Sequence, residues 1–225
     1  IPIVADCKLA LAAMNAWHST SYWATLSLVK AYLAADKSKQ PLFARSSAWR
    51  DQALRTAAAA WINLQLPLQK FTLSSVSIPD QSLGFKRNLE NSYIDPNLPL
   101  MDEILAVNDM MIKMLNALQL DLEARLAVSD IRIFSSRLSE LRAIAVKELN
   151  GESLSQEDNE KIAEFVRELS IETSGTKDRQ TEIKMPSGQT MHLDLSKLKL
   201  LVLIHQEGDN KVFSVGPVWD YRESR

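Results

Sequence analysis

The hydrophobic period of this chain changes once, late in the sequence, and that change limits what the chain can fold into. Before Thr173-Ser174-Gly175, where a period is visible, apolar residues recur every three or four positions; after it they alternate. The first spacing lines up side chains on one face of a helix, the second on one face of a strand. Helices first and antiparallel strands last predict a mostly α chain of α+β type, a helical array followed by a small C-terminal antiparallel sheet. The expected layout is a Trp-rich helical segment over 1–73, a connecting loop over 74–92, a long-helix bundle over 93–173, and β hairpins over 174–225 packed on the helices.

The first helices are expected over Ala5–Asn15 and Ser19–Ala35, the second with Tyr22, Leu26, Val29 and Leu33 on one face. A third begins near Ser46-Ser47, either of which is able to cap it. It ends or kinks near Gln65, because Pro67 lacks an amide hydrogen and clashes one turn back. Ser74–Asn91 has no clear period and reads as a surface connection. Tyr93-Ile94-Asp95-Pro96 leads into the longest stripe, Met101, Ile104, Asn108, Met111, Leu115, Leu118 and Leu122. Val107, Met110 and Met114 widen it, which predicts packing on more than one side. A break or bend is expected at Ser129-Asp130. The next helix carries Leu138, Leu141, Ile144, Ala145 and Leu149 and stops at Asn150-Gly151, since glycine accepts positive φ without strain. Ser155 caps the following helix, and Gln156-Glu157-Asp158 fills its first turn, with the two acids where the helix dipole favours negative charge.

In the last segment Ile183 and Met185 alternate with Glu182 and Lys184; Pro186-Ser187-Gly188 is a turn; Met191, Leu193 and Leu195 alternate with His192 and Asp194. This is a hairpin with one dry face. Lys199–His205 is apolar on both parities and predicts a strand covered on both sides. Glu207-Gly208-Asp209-Asn210 is a second hairpin turn. Gly216-Pro217 is expected to break the returning strand before a last extended piece, Val218-Trp219-Asp220-Tyr221.

Composition narrows function by exclusion. In 225 residues, 26 basic and 28 acidic side chains give a net charge of −2, with no electrostatic footprint for nucleic acid or an anionic membrane. No run reaches the roughly 18 apolar residues of a membrane span. A single Cys, Cys7, excludes an internal disulfide scaffold, and its ordinary role is that of a small buried hydrophobe. The chain starts at Ile1-Pro2-Ile3-Val4 with no leader pattern and reads as a mature product or as part of a longer polypeptide.

Chemistry-bearing patterns are sparse. His18, His192 and His205 have no second His or Cys at three or four residues, so no metal site and no cofactor are expected. No nucleophile elbow and no Gly-rich phosphate loop occurs, and no catalytic residue is assigned. Asp95, held before Pro96, is the most isolated polar candidate, and its ordinary role is to cap or fix the start of the long helix. His192 and Asp194 share a strand face and form, with Glu182 or Lys184 opposite, a solvated polar ladder. His18 is expected to contact backbone or water. The methionines of the long helix are expected to fill core gaps, with a pliable groove beside Met111 and Met114 as the alternative. The aromatic distribution carries more: Trp17, Trp23, Trp49 and Trp61 all lie in the first 61 residues. They form intramolecular core, a surface that packs on other protein, or a carbohydrate platform.

Several blocks resemble one family in order along nearly the whole chain. These are Ser21-Tyr22-Trp23-Ala24-Thr25-Leu26, Pro41-Leu42-Phe43, Ser47-Ala48-Trp49-Arg50-Asp51, Leu54-Arg55-Thr56-Ala57 with Trp61, Tyr93-Ile94-Asp95-Pro96-Asn97, and Ala145–Leu149 with Gly151–Leu154. The family is domain-of-unknown-function family 3160, large exported bacterial and archaeal proteins. The resemblance implies a mostly helical, exported protein longer than this chain, which would match its C-terminal part. It implies no assigned activity and no cofactor. Where members carry a polar Arg-His-Asp run after the Trp61 position, this chain has Gln65-Leu66-Pro67; its ending, with Asp220 and Arg222, is less aromatic than theirs. Two functions are therefore expected to compete. One is a non-catalytic module that docks through its N-terminal helices on another polypeptide, the N-terminal part of the same precursor, in a periplasmic, cell-surface or extracellular setting. The other is a hydrolase of polysaccharide or cell-wall material that uses paired carboxylates.

Overall fold

The computed structural model describes residues 10, 13, 16–34, 45–65, 94–118, 122–173, 179–195, 199–207, 210–218 and 221–224. The helix expected over Ala5–Asn15, apart from Ala10 and Ala13, and the connection over Ser74–Asn91 lie outside the described residues, as do Cys7 and Trp219. Five helices are described: α1 (Ser21–Leu33), α2 (Ser47–Gln65), α3 (Leu98–Ala117), α4 (Leu122–Leu149) and α5 (Gln156–Thr173). The strands follow: β1 (Arg179–Lys184), β2 (Thr190–Leu195), β3 (Lys199–Glu207), β4 (Asn210–Val218) and β5 (Tyr221–Ser224). The chain is thus mostly α, with antiparallel strands at its C-terminal end.

Local chemistry sets most helix boundaries. Thr20 caps α1, its side chain accepting from the Trp23 amide at 3.2 Å. Ser46 does the same for the start of α2 through the Trp49 amide, also at 3.2 Å, and α2 ends at Gln65, two residues before Pro67. Asn97 caps α3 through the Leu100 amide at 3.1 Å. At the end of α4, Gly151 takes φ 72°, and its amide and that of Glu152 satisfy the carbonyls of Glu148 and Lys147 at 3.0 and 2.9 Å.

Three expected boundaries are placed differently by the structure. The long stripe does not run through Leu122: α3 stops at Ala117 with Leu118 as its cap, and Leu122 opens the next helix. Ser129-Asp130, where a break or only a bend was expected, makes no break and lies inside α4. Both residues are exposed, so these weak helix formers face water without disturbing the packed side, where Val128 is buried. Likewise β4 continues through Gly216-Pro217, which face Leu201 and Leu200 of β3. A two-stranded ribbon has outward amide positions that need no partner strand, and a proline fits there.

Three apolar clusters join described elements. Met101 of α3 packs with Leu138 and Ala145 of α4. Leu141 and Ile144 of α4 pack with Ile162 of α5. Ala59 and Ile62 of α2 meet Leu193 and Leu195 of β2, with Trp61, Ile183, Met191 and Tyr221 around them. Helix α3 contacts both α1 and α4, and α2 contacts β2 and β5, in line with the two-sided packing that the widened stripe predicts.

The strands form a three-stranded sheet in the order β1-β2-β5 and a separate pair, β3-β4. The first hairpin turns at 186–188, with Gly188 at φ 80° and the Gly188 amide on the Met185 carbonyl at 2.9 Å. Its alternation is as expected: Leu193 and Leu195 are buried and His192 is exposed. The side chains of β3, on which the expected two-sided cover turns, lie outside the described residues.

Candidate functional site

Asn97, Tyr32, Thr56 and Glu148 link α1, α2, α3 and α4 around one short segment. The segment Ile94-Asp95-Pro96-Asn97 binds this junction. Asn97 is buried; its side-chain oxygen caps α3 while its amide nitrogen donates to the Tyr32 carbonyl of α1 at 3.0 Å. The cap is therefore Asn97 and not Asp95, whose own carbonyl instead accepts from the Asn97 amide at 2.8 Å. Three residues earlier than the cap, the Ile94 amide donates to Glu148 Oε1 of α4 at 3.3 Å, and the Ile94 side chain packs on both α4 clusters.

Glu148 is the unusual group here. Its second oxygen, Oε2, is buried and has no hydrogen-bond partner among the described residues. Burial, followed by the nearby negative charge of Asp95, outweighs the Ile94 hydrogen bond and pushes this carboxyl up to about 7. Tyr32 shares the environment: burial raises its hydroxyl, a hydrogen bond with Thr56 of α2 works the other way, and the charge of Asp95 adds to the rise. Sequence reasoning singled out Asp95 and missed Glu148. A signal existed, because Leu138, Leu141, Ala145 and Glu148 stand at steps of three, four and three. That places a carboxylate on the apolar stripe of α4.

The aromatic candidates lie just before α1, on α1 and on α2. Trp17, Trp23, Trp49 and Trp61 are each half-buried. Trp17 and Trp23 meet edge to face, with centroids 6.0 Å apart and planes at 87°, and Tyr22 stands 5.7 Å from Trp23. The Lys30 ammonium lies 4.5 Å from the Trp17 ring centroid, a cation–π contact. Trp61 instead leans on the α2–sheet cluster. Tyr22, Leu33 and Leu54 of the same two helices are exposed, at 41%, 43% and 58%.

His18 contradicts the expectation of backbone or water. Its Nε2 lies 2.6 Å from Glu103 Oε1 of α3, and the Ser27 hydroxyl of α1 reaches the same oxygen. The three residues do not make a nucleophile system. Histidine and serine both bind the carboxylate and, among the described residues, not each other, so no Ser–His pair is formed. The arrangement ties the start of α1 to α3.

His192 and Asp194 stay in the sheet. His192 pairs across the ladder with Glu182, Nδ1 to Oε1 at 3.2 Å, and Asp194 stands between Gln180 and Arg222 in register. The ladder is what the sequence predicts of these residues, and no hydrogen bond or ion pair among the described residues joins them to Asp95. Among the described residues no group of three His, Cys, Asp or Glu is arranged to hold a metal ion, and no helix is long and apolar enough to cross a membrane. One groove of about 180 Å³ lies between α4 and α5. It holds Glu140 and Glu164, but each faces a cation across the groove, Lys161 at 3.8 Å and Arg137 at 4.0 Å.

These features define a class: a helical array with a C-terminal antiparallel sheet, an aromatic face on its first helices, and a half-buried carboxyl at their junction. A family model described as "Protein of unknown function (DUF3160)" matches residues 5–223, and the chain belongs to that family. No curated protein and no solved structure matches it.

Proposed function

We propose that this chain is a non-catalytic interaction module of an exported protein, at the periplasm, cell surface or extracellularly, which docks through α1 and α2 on the N-terminal part of the same precursor polypeptide. The observation that carries this reading is the condition of the aromatic face. None of Trp17, Trp23, Trp49 and Trp61 is fully enclosed, and Tyr22, Leu33 and Leu54 stand exposed on the same helices. Covering such a face contributes about 25 cal/mol per Å² of apolar area before ordering costs. Aromatic anchors carry a large share of binding energy where they are desolvated.

The test is co-expression of residues 1–225 with the preceding part of the precursor as a separate polypeptide. Co-elution, lost in the Tyr22→Arg/Leu54→Arg double variant while its circular dichroism is unchanged, supports docking. Independent elution of the two polypeptides, with iodide quenching of Trp emission unaltered by mixing, refutes it. Cell fractionation with an antibody to the chain tests export, and recovery in the cytosol alone refutes that part.

A second reading, a hydrolase of polysaccharide or cell-wall material, has one observation in its favour. Asp95 and Glu148 are neighbouring carboxylates, and Glu148 keeps a proton to near neutrality, as a general acid does. Hydrolysis of cell-wall polymer by the purified chain, abolished in Glu148→Gln, would carry this reading; equal rates in the two proteins would end it.

A further inference from the structure

The docking reading leaves the Glu148 carboxyl without a role, and its position gives it one. The Ile94–Asn97 segment is a knot between three helices. Ile94 holds α4 through its amide and side chain, Asn97 caps α3, and the Asn97 amide group holds the α1 carbonyl of Tyr32. At the α4 end of this knot the polar contact is the Ile94 backbone bond to the Glu148 carboxyl, whose second oxygen is buried and has no partner among the described residues. The next residue after Ile94 is an acid, Asp95.

We propose that Glu148 and the Ile94–Asn97 segment form a pH-sensitive latch, closed while the Glu148 carboxyl is protonated and loosened when it ionises beside Asp95, so that pH governs how firmly α1 is tied to the α3–α4 pair. The groups around the carboxyl set this behaviour. From the lead-in segment comes Asp95, and from α1 the Tyr32 hydroxyl, which feels the same Asp95 charge and is bonded to neutral Thr56 of α2. On α4 the adjacent cation is Lys147, whose ammonium is taken up by Asp158 of α5 at 2.8 and 2.9 Å. Among the described residues no cation meets Glu148. An ionised Glu148 therefore has one long backbone bond to offset burial and a like charge. A protonated one avoids both penalties and still accepts from Ile94 through its other oxygen.

The direction of the effect follows from linkage. The carboxyl holds its proton more tightly in the closed form, up to about 7, than in an open one near 4.5. The latch is fully closed below about 4.5 and weakens as pH rises to about 7, beyond which it changes no further. The inference does not rest on the docking reading, because the latch is read out within the isolated chain.

The test is amide hydrogen exchange at Ile94 and Asn97 in the full chain, divided by the intrinsic rate at each pH. Between pH 5 and pH 7.5 the corrected opening should increase at least tenfold in the wild type. In Glu148→Gln, which stays neutral, it should change less than twofold. Opening that is pH-independent in the wild type, or equally pH-dependent in Glu148→Gln, overturns the proposal. Should the variant fail to fold, the ¹³C carboxyl titration of Glu148 in the wild type decides: a midpoint near 7 sustains the latch and one near 4.5 removes it. Asp95→Asn should lower that midpoint, and an unmoved midpoint would take Asp95 out of the device.

Discussion

Replacing Asp158 with Ala is the perturbation whose cost the structure defines most closely. Asp158 is 6% exposed and serves two partners at the start of α5. Its amide donates to Ser155 Oγ at 3.1 Å, while its own oxygen accepts from the Ser155 amide and hydroxyl at 3.0 and 2.8 Å. That is a reciprocal cap, and losing such a cap costs about 1 kcal/mol. The second partner is Lys147, which donates to both carboxylate oxygens. The hydrogen bond from Lys147 and then those from Ser155 hold the carboxyl down, from 3.8 to about 2. Taken at face value that depression corresponds to about 2.5 kcal/mol. Lys147 is 41% exposed, however, and screening by water reduces the ion pair to about 1 kcal/mol. The expected loss is therefore about 2 kcal/mol, or roughly 4–8 °C in a chain of this size. The sign with pH is fixed as well. Because the folded carboxyl is depressed, its contribution is present above pH 3.8 and is lost as pH falls through about 2. Urea unfolding of the wild type and Asp158→Ala at pH 7 and pH 2.5 measures both. A loss under about 0.5 kcal/mol at pH 7, or an equal gap between the two proteins at both pH values, would refute the reasoning.

Other outcomes follow from named contacts. Leu193→Ala opens a void between α2 and β2 where Leu193 is fully buried against Ala59 and Ile62; a loss of about 2–5 kcal/mol is expected by chemical denaturation. Gly151→Ala should cost about 1 kcal/mol through backbone strain alone, since φ is 72° and nothing lies within 4 Å of the added carbon; a neutral result would contradict the positive φ. Asn97→Asp keeps the α3 cap but loses the donor to the Tyr32 carbonyl, whereas Asn97→Ala loses both. The second should cost about 2 kcal/mol by thermal unfolding at pH 7, and the first no less, because its buried carboxylate meets the Tyr32 carbonyl oxygen and adds a like charge near Asp95.

The features readable from the residue string are those whose partners lie within four positions. The caps at Ser46 and Ser155, the stop at Gly151, the end of α2 before Pro67 and the turn at 186–188 each depend on a short loop of backbone closed by a residue type suited to it. The alternation of β2 and the stripe of α4 were equally plain, since a periodic pattern reports its own buried face. The α3–α4 break was not, because Leu118 and Leu122 continue the apolar stripe of α3 across it.

The junction was half legible. Asp95 drew notice for its place before Pro96, but its neighbour Glu148 lies 53 positions further along. The Ile94–Glu148 bond spans 54 positions and the His18–Glu103 contact 85. By itself the sequence determined the order and type of elements and the local devices that start and stop them, because these depend on intrinsic backbone preference and short-range hydrogen bonding. Only the tertiary structure decided that a carboxylate on the α4 stripe would be buried beside a second acid and under the Ile94 amide. That proximity arises from helix packing, which brings distant residues together by the fit of apolar faces and leaves no mark of the pairing in the order of the chain.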